Sequence, residues 1–417
     1  MVTQVLLKLT GLYFAEHPHH KLYANGPMAI LKCWRCWITV TRSTLLCCAM
    51  AYVLMSNIFR TVRQSLIKET SSWNVEGTMF QGWMLQSLLS MIFTVYWQWS
   101  GAIRVIQKRV ISYHPAHNSR ETIRHDMRIS LIFSFLATFF YVAYLASLLA
   151  LAPTSGARYF VRIGNYGPEF WHYLARNVVS ILGHFVWNLS FCYFVMLIRS
   201  ITRELKYFNA QFKQMLDDSE KTSQSNPEGL ANQLLLSLTS HNKLAEKIIE
   251  VDKIFQTYTF LMTAIATPQT IFALLLLIRR QTWLGLCYSV IELVLCMAHL
   301  IGLTVIPAQI YTEFRMVHIH LYWASSVWSK EFDLKVYQIV RLFTESVNHS
   351  DVGISLGGFI LITKSLVLTC LSVIIPYVLL CVQMQFGSDQ TLNFLIFAKN
   401  NATGNLTDVG SNKTHSG

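Results

Sequence analysis

Residues 372–386 read SVIIPYVLLCVQMQF, an apolar run that carries Pro376, Tyr377, Gln383 and Gln385 and then breaks into the polar GSDQTLNF of 387–394. A simple lipid anchor has no use for those four residues. A side-chain amide turned toward hydrocarbon has nothing to bond to, so Gln383 and Gln385 must face protein or water. Pro376 loosens the helix just before them. Copies of such a helix set around an axis put apolar side chains at a constriction and a ring of glutamines beside it, the arrangement of a hydrophobic gate next to a wetted site. Tyr377, Val378 and Cys381 fall on or near one stripe with Gln385, and Gln383 lies two residues off it.

The rest of the chain has the composition that such a helix needs. Of its 417 residues, 53% are hydrophobic and 13% charged, against about 25% charged in a soluble protein. Seven apolar blocks approach or exceed the ~20 residues that cross a bilayer core as a helix: 37–59, 79–100, 129–152, 177–198, 257–278, 283–306 and 365–386. The expected fold is an all-α membrane protein of seven transmembrane helices.

Residues 1–36 lack the basic start, long apolar core and small-residue cleavage site of a signal peptide, which predicts a cytoplasmic N-terminus. The basic residues agree, since cytoplasmic loops carry their excess. With the N-terminus inside, segments 1–42, 103–128, 199–256 and 311–355 hold 23 lysines and arginines, and the opposite segments hold 9. The C-terminus is then extracellular, where the tail NNATGNLTDVGSNKTHSG offers glycosylation acceptors at Asn401, Asn405 and Asn412. Sequons at Asn188 and Asn348 are expected to be silent, one inside a span and the other on the cytoplasmic side. The net charge of +12 reflects this orientation and contact with anionic lipid, so nucleic acid is not an expected partner.

Catalysis has little to stand on. The sequence holds no Walker loop, HExxH or carboxylate cluster within an apolar block, so no catalytic residue and no cofactor is expected. Cys47, Cys48, Cys192, Cys296, Cys370 and Cys381 lie in apolar blocks as small hydrophobic filler. The lone CWRC at Cys33 and Cys36 has no second ligand pair, so no metal is expected either; acylation beside the membrane suits it better. The inverted orientation, the lack of an acidic-arginine signature after the third span and the lack of paired loop cysteines argue against a G-protein-coupled receptor.

The cytoplasmic connections are long and patterned. Ile201, Leu205, Phe208, Phe212 and Leu216 recur at helical spacing after the fourth span, and DDSEKTSQSNPEG (217–229) reads as a flexible break. Leu244, Ile248, Val251 and Phe255 lead into the fifth span, and Val336, Val340, Phe343 and Val347 precede the seventh. Three apolar stripes on one side of the membrane predict a cytoplasmic helical bundle able to join subunits. Inside the spans, ionisable groups are costly unless they line a cavity or meet partners. Arg176 and His184 fall on the fourth span, and Glu292 and His299, seven residues apart, share one face of the sixth. In the outer halves Gln86, Tyr144, His184, Trp187, Gln269, Trp283, Tyr288 and Glu292 supply aromatic walls and a few polar groups, the makings of a small-ligand pocket.

The stretch PYVLLCVQM, 376–384, resembles the C-terminal signature of the invertebrate gustatory receptors: Thr-Tyr, five apolar residues, then Gln-Phe. Tyr377, Val378 to Val382 and Gln383 match in register, while Pro376 stands at the usual threonine and Met384 at the usual phenylalanine. GGFILITKSLVLTCLSVI, 357–374, is similar to the segment leading into that signature, and RELKYFN, 203–209, to the segment after the fourth span. The resemblance implies a ligand-gated cation channel, homotetrameric or heterotetrameric, in the plasma membrane of sensory cells. It also implies a division of the chain: a cytoplasmic N-terminus (1–36), six sensing helices (37–310) with a cytoplasmic extension (199–256), an anchor (311–364), a pore helix (365–386) and an extracellular glycosylated tail (387–417). In that scheme Tyr377, Val378, Cys381 and Val382 line the pore, and the gate lies at Gln383 and Met384 or at the second pair that begins with Gln385. The stimulus stays open among tastants, temperature, light and hydrogen peroxide, and so does a non-conducting co-receptor role. Expressed in cells, the chain should shift to lower mass on treatment with an N-glycosidase, and replacing Asn401, Asn405 and Asn412 together with glutamine should abolish the shift.

Overall fold

The described parts of all seven apolar blocks are helical in a computed structural model, which describes residues 41, 44–56, 58–59, 75–106, 119–151, 168–221, 227–280, 283–328, 334–349, 351–380 and 383. In chain order these are α1 (Thr44–Ser56), α2 (Val75–Trp99), the short α3 (Ala102–Ile106), α4 (Ser119–Leu151), α5 (Pro168–Lys221), α6 (Pro227–Arg279), α7 (Trp283–Trp323), the short α8 (Ser325–Trp328) and α9 (Leu334–His349). Two strands, β1 (Ser355–Leu356) and β2 (Ile360–Leu361), then form a hairpin before α10 (Lys364–Leu380). Among the described residues, Asn177–Glu220, Glu228–Arg279 and Gly285–Trp323 are long and apolar enough to cross a membrane, and Thr44–Ser56, Arg128–Ala143 and Lys364–Leu380 are shorter apolar helices. The N-terminal segment with Cys33 and Cys36, and the tail with Asn401, Asn405 and Asn412, lie outside the described residues.

Length decides much of the architecture. At 1.5 Å per residue α5 is about 80 Å long and α6 nearly the same, being 54 and 53 residues. A bilayer core is ~30 Å thick, so more than half of each helix has to find cover elsewhere. They find it in one another. Phe212 and Leu216 of α5, Leu230 and Leu234 of α6, Val317 and Leu321 of α7, and Val336, Val340, Phe343 and Val347 of α9 close into one buried cluster. The sequence-read stripes therefore bury against each other. The break expected over 217–229 is shorter than the sequence implied. The first helix continues through Asp217 and Asp218 to Lys221, with Leu216 buried, and the next starts at Pro227 with Glu228 in its first turn, where a missing N–H is harmless and a negative charge favourable.

Polar contacts fix the level at which these rods meet. Within RELKYFN, Arg203 bonds Asp126 of α4 and Glu204 receives Lys247 of α6 at 2.6 Å. Lys206 lies 3.8 Å from Glu313 of α7, whose backbone carbonyl also accepts from Asn209 at 2.9 Å. One short stretch of α5 thus touches three other helices by charge or amide. Above it, Trp97 is wholly buried against Phe255 and Tyr258, at centroid distances of 4.6 and 5.2 Å, and its Nε1–H donates to the Ile254 carbonyl.

The hairpin is built on α6. Asp252 accepts the Ser355 N–H at 2.6 Å and the Ser355 hydroxyl at 2.9 Å, while the backbone carbonyl of Gln256 accepts from Gly357 at 3.0 Å. Gly357 and Gly358 have φ of 65° and 79°, a region closed to most side chains. A Cβ on Gly358 would also sit 2.9 Å from the Gln256 side-chain oxygen. GGFILITK is thus the turn that ends the α9 connection and roots α10 on α6.

His241 offers a test of the lower bundle. Its ring lies 4.2 Å from Phe314 and 5.3 Å from Phe343 between centroids, and its Nε2 faces the Phe314 carbonyl at 3.3 Å. Burial pushes its pKa down to about 4, with that carbonyl opposing the shift. The fold therefore favours the neutral ring, and stability present above pH ~6.5 is lost as pH falls from there toward the depressed value. Thermal unfolding in detergent should show a loss of about 2 kcal/mol between pH 7 and pH 5 from this residue, and His241→Phe should flatten that dependence; an unchanged slope would assign the acid sensitivity to other groups.

Candidate functional site

Polar side chains buried in an apolar bundle must be accounted for one by one. On α2 Gln86, Ser90 and Thr94 recur every fourth residue and all are buried, so one polar stripe faces the interior. The fifth helix adds His184 and Asn188, the sixth Gln269, and the seventh Glu292 and His299, all buried. Lower down, Thr94 and Ser190 bond each other at 2.8 Å.

Aromatic rings enclose the upper part of this seam. Tyr141 of α4 stacks on His184 at 4.4 Å, and Trp187 stacks on His299 at 4.3 Å. His184 and Trp187 meet edge to face at 5.0 Å, and Trp83 of α2 lies 6.1 Å from Tyr141 and 6.2 Å from His184. Phe191 closes the lower side at 4.3 Å from His299. Two glycines make the approach possible. A Cβ on Gly302 would collide with the Phe191 ring, and one on Gly82 would lie 2.6 Å from the Gln269 amide nitrogen, which rests across that turn of α2.

Several polar atoms here have no hydrogen-bond partner among the described residues: Gln86 Oε1, Gln269 Nε2, Asn188 Oδ1, His299 Nε2 and both ring nitrogens of His184. The His184 ring lies near the Ala137 carbonyl without reaching hydrogen-bond geometry. His299 Nδ1 lies 2.8 Å from the Leu295 carbonyl. A carbonyl only accepts, so Nδ1 carries the hydrogen of a neutral ring and Nε2 keeps its lone pair.

The structure sorts the expected pocket residues into two groups. Gln86, His184, Trp187 and Gln269 converge on the seam. Glu292 instead faces Arg280 at 3.5 Å, and that guanidinium also donates to Ser289 Oγ at 3.2 Å and the Gly285 carbonyl, closing the α6–α7 turn. Trp283 is 78% exposed at the start of α7 and Tyr288 is half-buried; the side chain of Tyr144 lies outside the described residues, as does that of Arg176. Trp83, Tyr141 and His299 are additions to the expected set. Their signal was helical spacing: Trp83 is three residues before Gln86, and Tyr141 three before Tyr144. Among the described residues no three His, Cys, Asp or Glu side chains group as metal ligands.

On α10, Ile374 packs with Ile271, Leu275 and Leu300, and Val378 supports it one turn on. Leu368, Ile375, Tyr377 and Leu379 are exposed, and so is Gln383. Tyr377 and Val378, read as sharing a stripe, therefore point different ways, one outward and one onto the chain's own helices. Cys381, Val382, Met384 and Gln385 lie outside the described residues.

No protein-family model and no curated protein sequence matches the chain. Its fold has solved counterparts. The insect olfactory receptor OR5 from Machilis hrabei in complex with eugenol aligns at a TM-score of 0.65 with 12% identity, over 92% of this chain and 97% of that one. A second structure of that receptor aligns over the same shares at 0.57 and 12% identity. The likeness is one of fold, and it runs along nearly the whole chain.

The glycine approach can be checked directly. Gly302→Val should lower thermal stability in detergent by about 1–3 kcal/mol through overpacking against Phe191. Combined with Phe191→Leu it should cost less than the two single changes summed, whereas additive losses would mean the two positions are not in contact.

Proposed function

We propose that the chain is a subunit of a chemosensory, ligand-gated cation channel of the gustatory-receptor kind, multi-pass in the plasma membrane of sensory cells, opened by a small molecule bound in the aromatic seam. The observation that carries this reading is the fold shared along 92% of the chain with an insect olfactory receptor solved in complex with a small molecule. Three features support it. The seam gathers orphaned polar atoms between aromatic rings, which is the composition of a ligand site. The helix α10 leaves most of its apolar surface uncovered by its own chain, as a helix shared between copies around an axis must. The sixth helix joins the two, since it carries Gln269 in the seam and Asp252 at the root of α10.

In this reading four copies, alike or related, meet through the lower bundle of α5, α6, α7 and α9. The tenth helix lines the cation path, with Gln383 at or beside its outer narrowing and Tyr377 turned away from the chain's own core. Spans and orientation follow the seven-block, N-inside reading.

The test is whole-cell current from cells expressing the chain alone and with a related receptor, under sugars, bitter compounds, peroxide and ultraviolet light. A stimulus-evoked cation current is expected, with altered selectivity or block in Gln383→Ala and reduced opening at unchanged surface level in Ser355→Ala. Surface protein that carries no current in either setting would overturn the channel reading.

A further inference from the structure

We infer that one stripe of α10 is the wetted side of that helix, a row of oxygen acceptors made by Thr369, Ser372 and the Ser372 main-chain carbonyl, which Pro376 frees to meet hydrated cations. The inference rests on the channel reading and adds which face of the tenth helix meets the ions and what that face offers them.

Helical phase argues first. At about 100° per residue, Ser365, Thr369, Ser372, Pro376 and Gln383 fall within about 60° of arc, and all five are exposed. Ile374, the buried residue that packs on Ile271, Leu275 and Leu300, lies about 180° from Ser365. The polar row therefore points straight away from the chain's own helices. Its flanks are apolar and also exposed, with Leu368 and Ile375 on one side and Val373 and Tyr377 on the other. Such flanks suit neighbouring copies of the same helix, and the row between them is left to water. Leu379 and Leu380 interrupt the row before Gln383, so the polar length reached from the cytoplasm ends below them.

Hydrogen-bond sense argues next. The Thr369 hydroxyl donates to the Ser365 carbonyl at 3.1 Å, and the Ser372 hydroxyl to the Thr369 carbonyl at 2.8 Å. A hydroxyl has a single hydrogen, so both oxygens have spent theirs on the helix and present only lone pairs outward. Pro376 has no N–H, which leaves the Ser372 carbonyl without the amide that would bond it within the helix. Hydrocarbon tolerates an unpaired carbonyl poorly, whereas a helix that borders water accommodates one. Oxygens that accept and do not donate favour cations over anions. No carboxylate stands on α10, so these acceptors alone set that preference. Pro376 is also where the stretch departs from the gustatory-receptor signature, so the freed carbonyl belongs to this chain rather than to that pattern.

Cysteine substitution in the full chain, in membranes of permeabilised cells, reads the face without reference to current. The probes are a pair of membrane-impermeant methanethiosulfonates, one bearing trimethylammonium and the other sulfonate, and labelling is counted above that of the parent chain. Ser365→Cys, Thr369→Cys and Ser372→Cys should react, while Leu368→Cys and Ile375→Cys should be spared. At Thr369→Cys the cationic reagent should outpace the anionic one by a larger factor than it does on free cysteine. Adding Pro376→Ala, which returns an N–H to the Ser372 carbonyl, should lower that factor. Flank cysteines labelled as fast as those on the row, a silent row, or a factor that Pro376→Ala leaves unchanged would overturn the inference. Labelling in the expected pattern without any stimulus-evoked current would uphold the wetted face and overturn the channel reading instead.

Discussion

Rods of about 80 Å packed in one bundle are easy to slide, and apolar packing alone does little to stop them because the hydrophobic effect has no direction. A slip of one residue moves the partner surface by 1.5 Å and turns it by a large angle. The structure settles the register at one level, where Glu204 receives Lys247 at 2.6 Å and Asn209 reaches the Glu313 carbonyl. Both partners of the first pair are largely buried, so separating them would strand a charge in a poorly solvating place. Ring contacts join the other helices above and below that level: Phe212 meets Phe343, Trp97 meets Phe255, and Trp187 meets His299.

The stripes were legible because a period of 3.6 residues is written in the order of the residues themselves. Leu244, Ile248, Val251 and Phe255 read as one face and are one buried face. The break at 217–229 misled because its residues are polar, and polarity also describes the outer side of a helix end. The ring cluster was legible only in half. Gln86, His184, Trp187 and Gln269 could be chosen as costly or bulky groups inside spans, but which rings face each other depends on how helices cross, and that is not local in sequence. Glu292 shows the limit most sharply. Its partner Arg280 is twelve residues away across a turn, so a buried acid that looked available for a guest is engaged by its own chain.

Two of the three stretches that carry the family resemblance are joints. RELKYFN ties four helices together at one level, and GGFILITK makes the glycine turn clamped by Asp252. Joints restrict sequence more tightly than packed faces do, since a carboxylate at 2.6 Å or a residue at positive φ tolerates few replacements, whereas an apolar stripe accepts many residues of similar volume. The seam is the converse case. Its orphaned polar atoms cost stability rather than supply it.

Pro268 sits inside α6 beside Gln269, with Asp252 about 24 Å further down the same helix. A proline there lacks one backbone bond and is the natural point at which a long helix bends. This makes the sixth helix a lever whose fulcrum adjoins the seam and whose far arm holds the hairpin. A change in tilt of about 5° at the fulcrum carries the far end through about 2 Å at that arm length. Such a displacement is comparable with the distances in the Asp252–Ser355 clamp, so the clamp must move with the rod or let go, and a rearrangement of a few tenths of an ångström around one amide becomes a step large enough to reposition the root of α10.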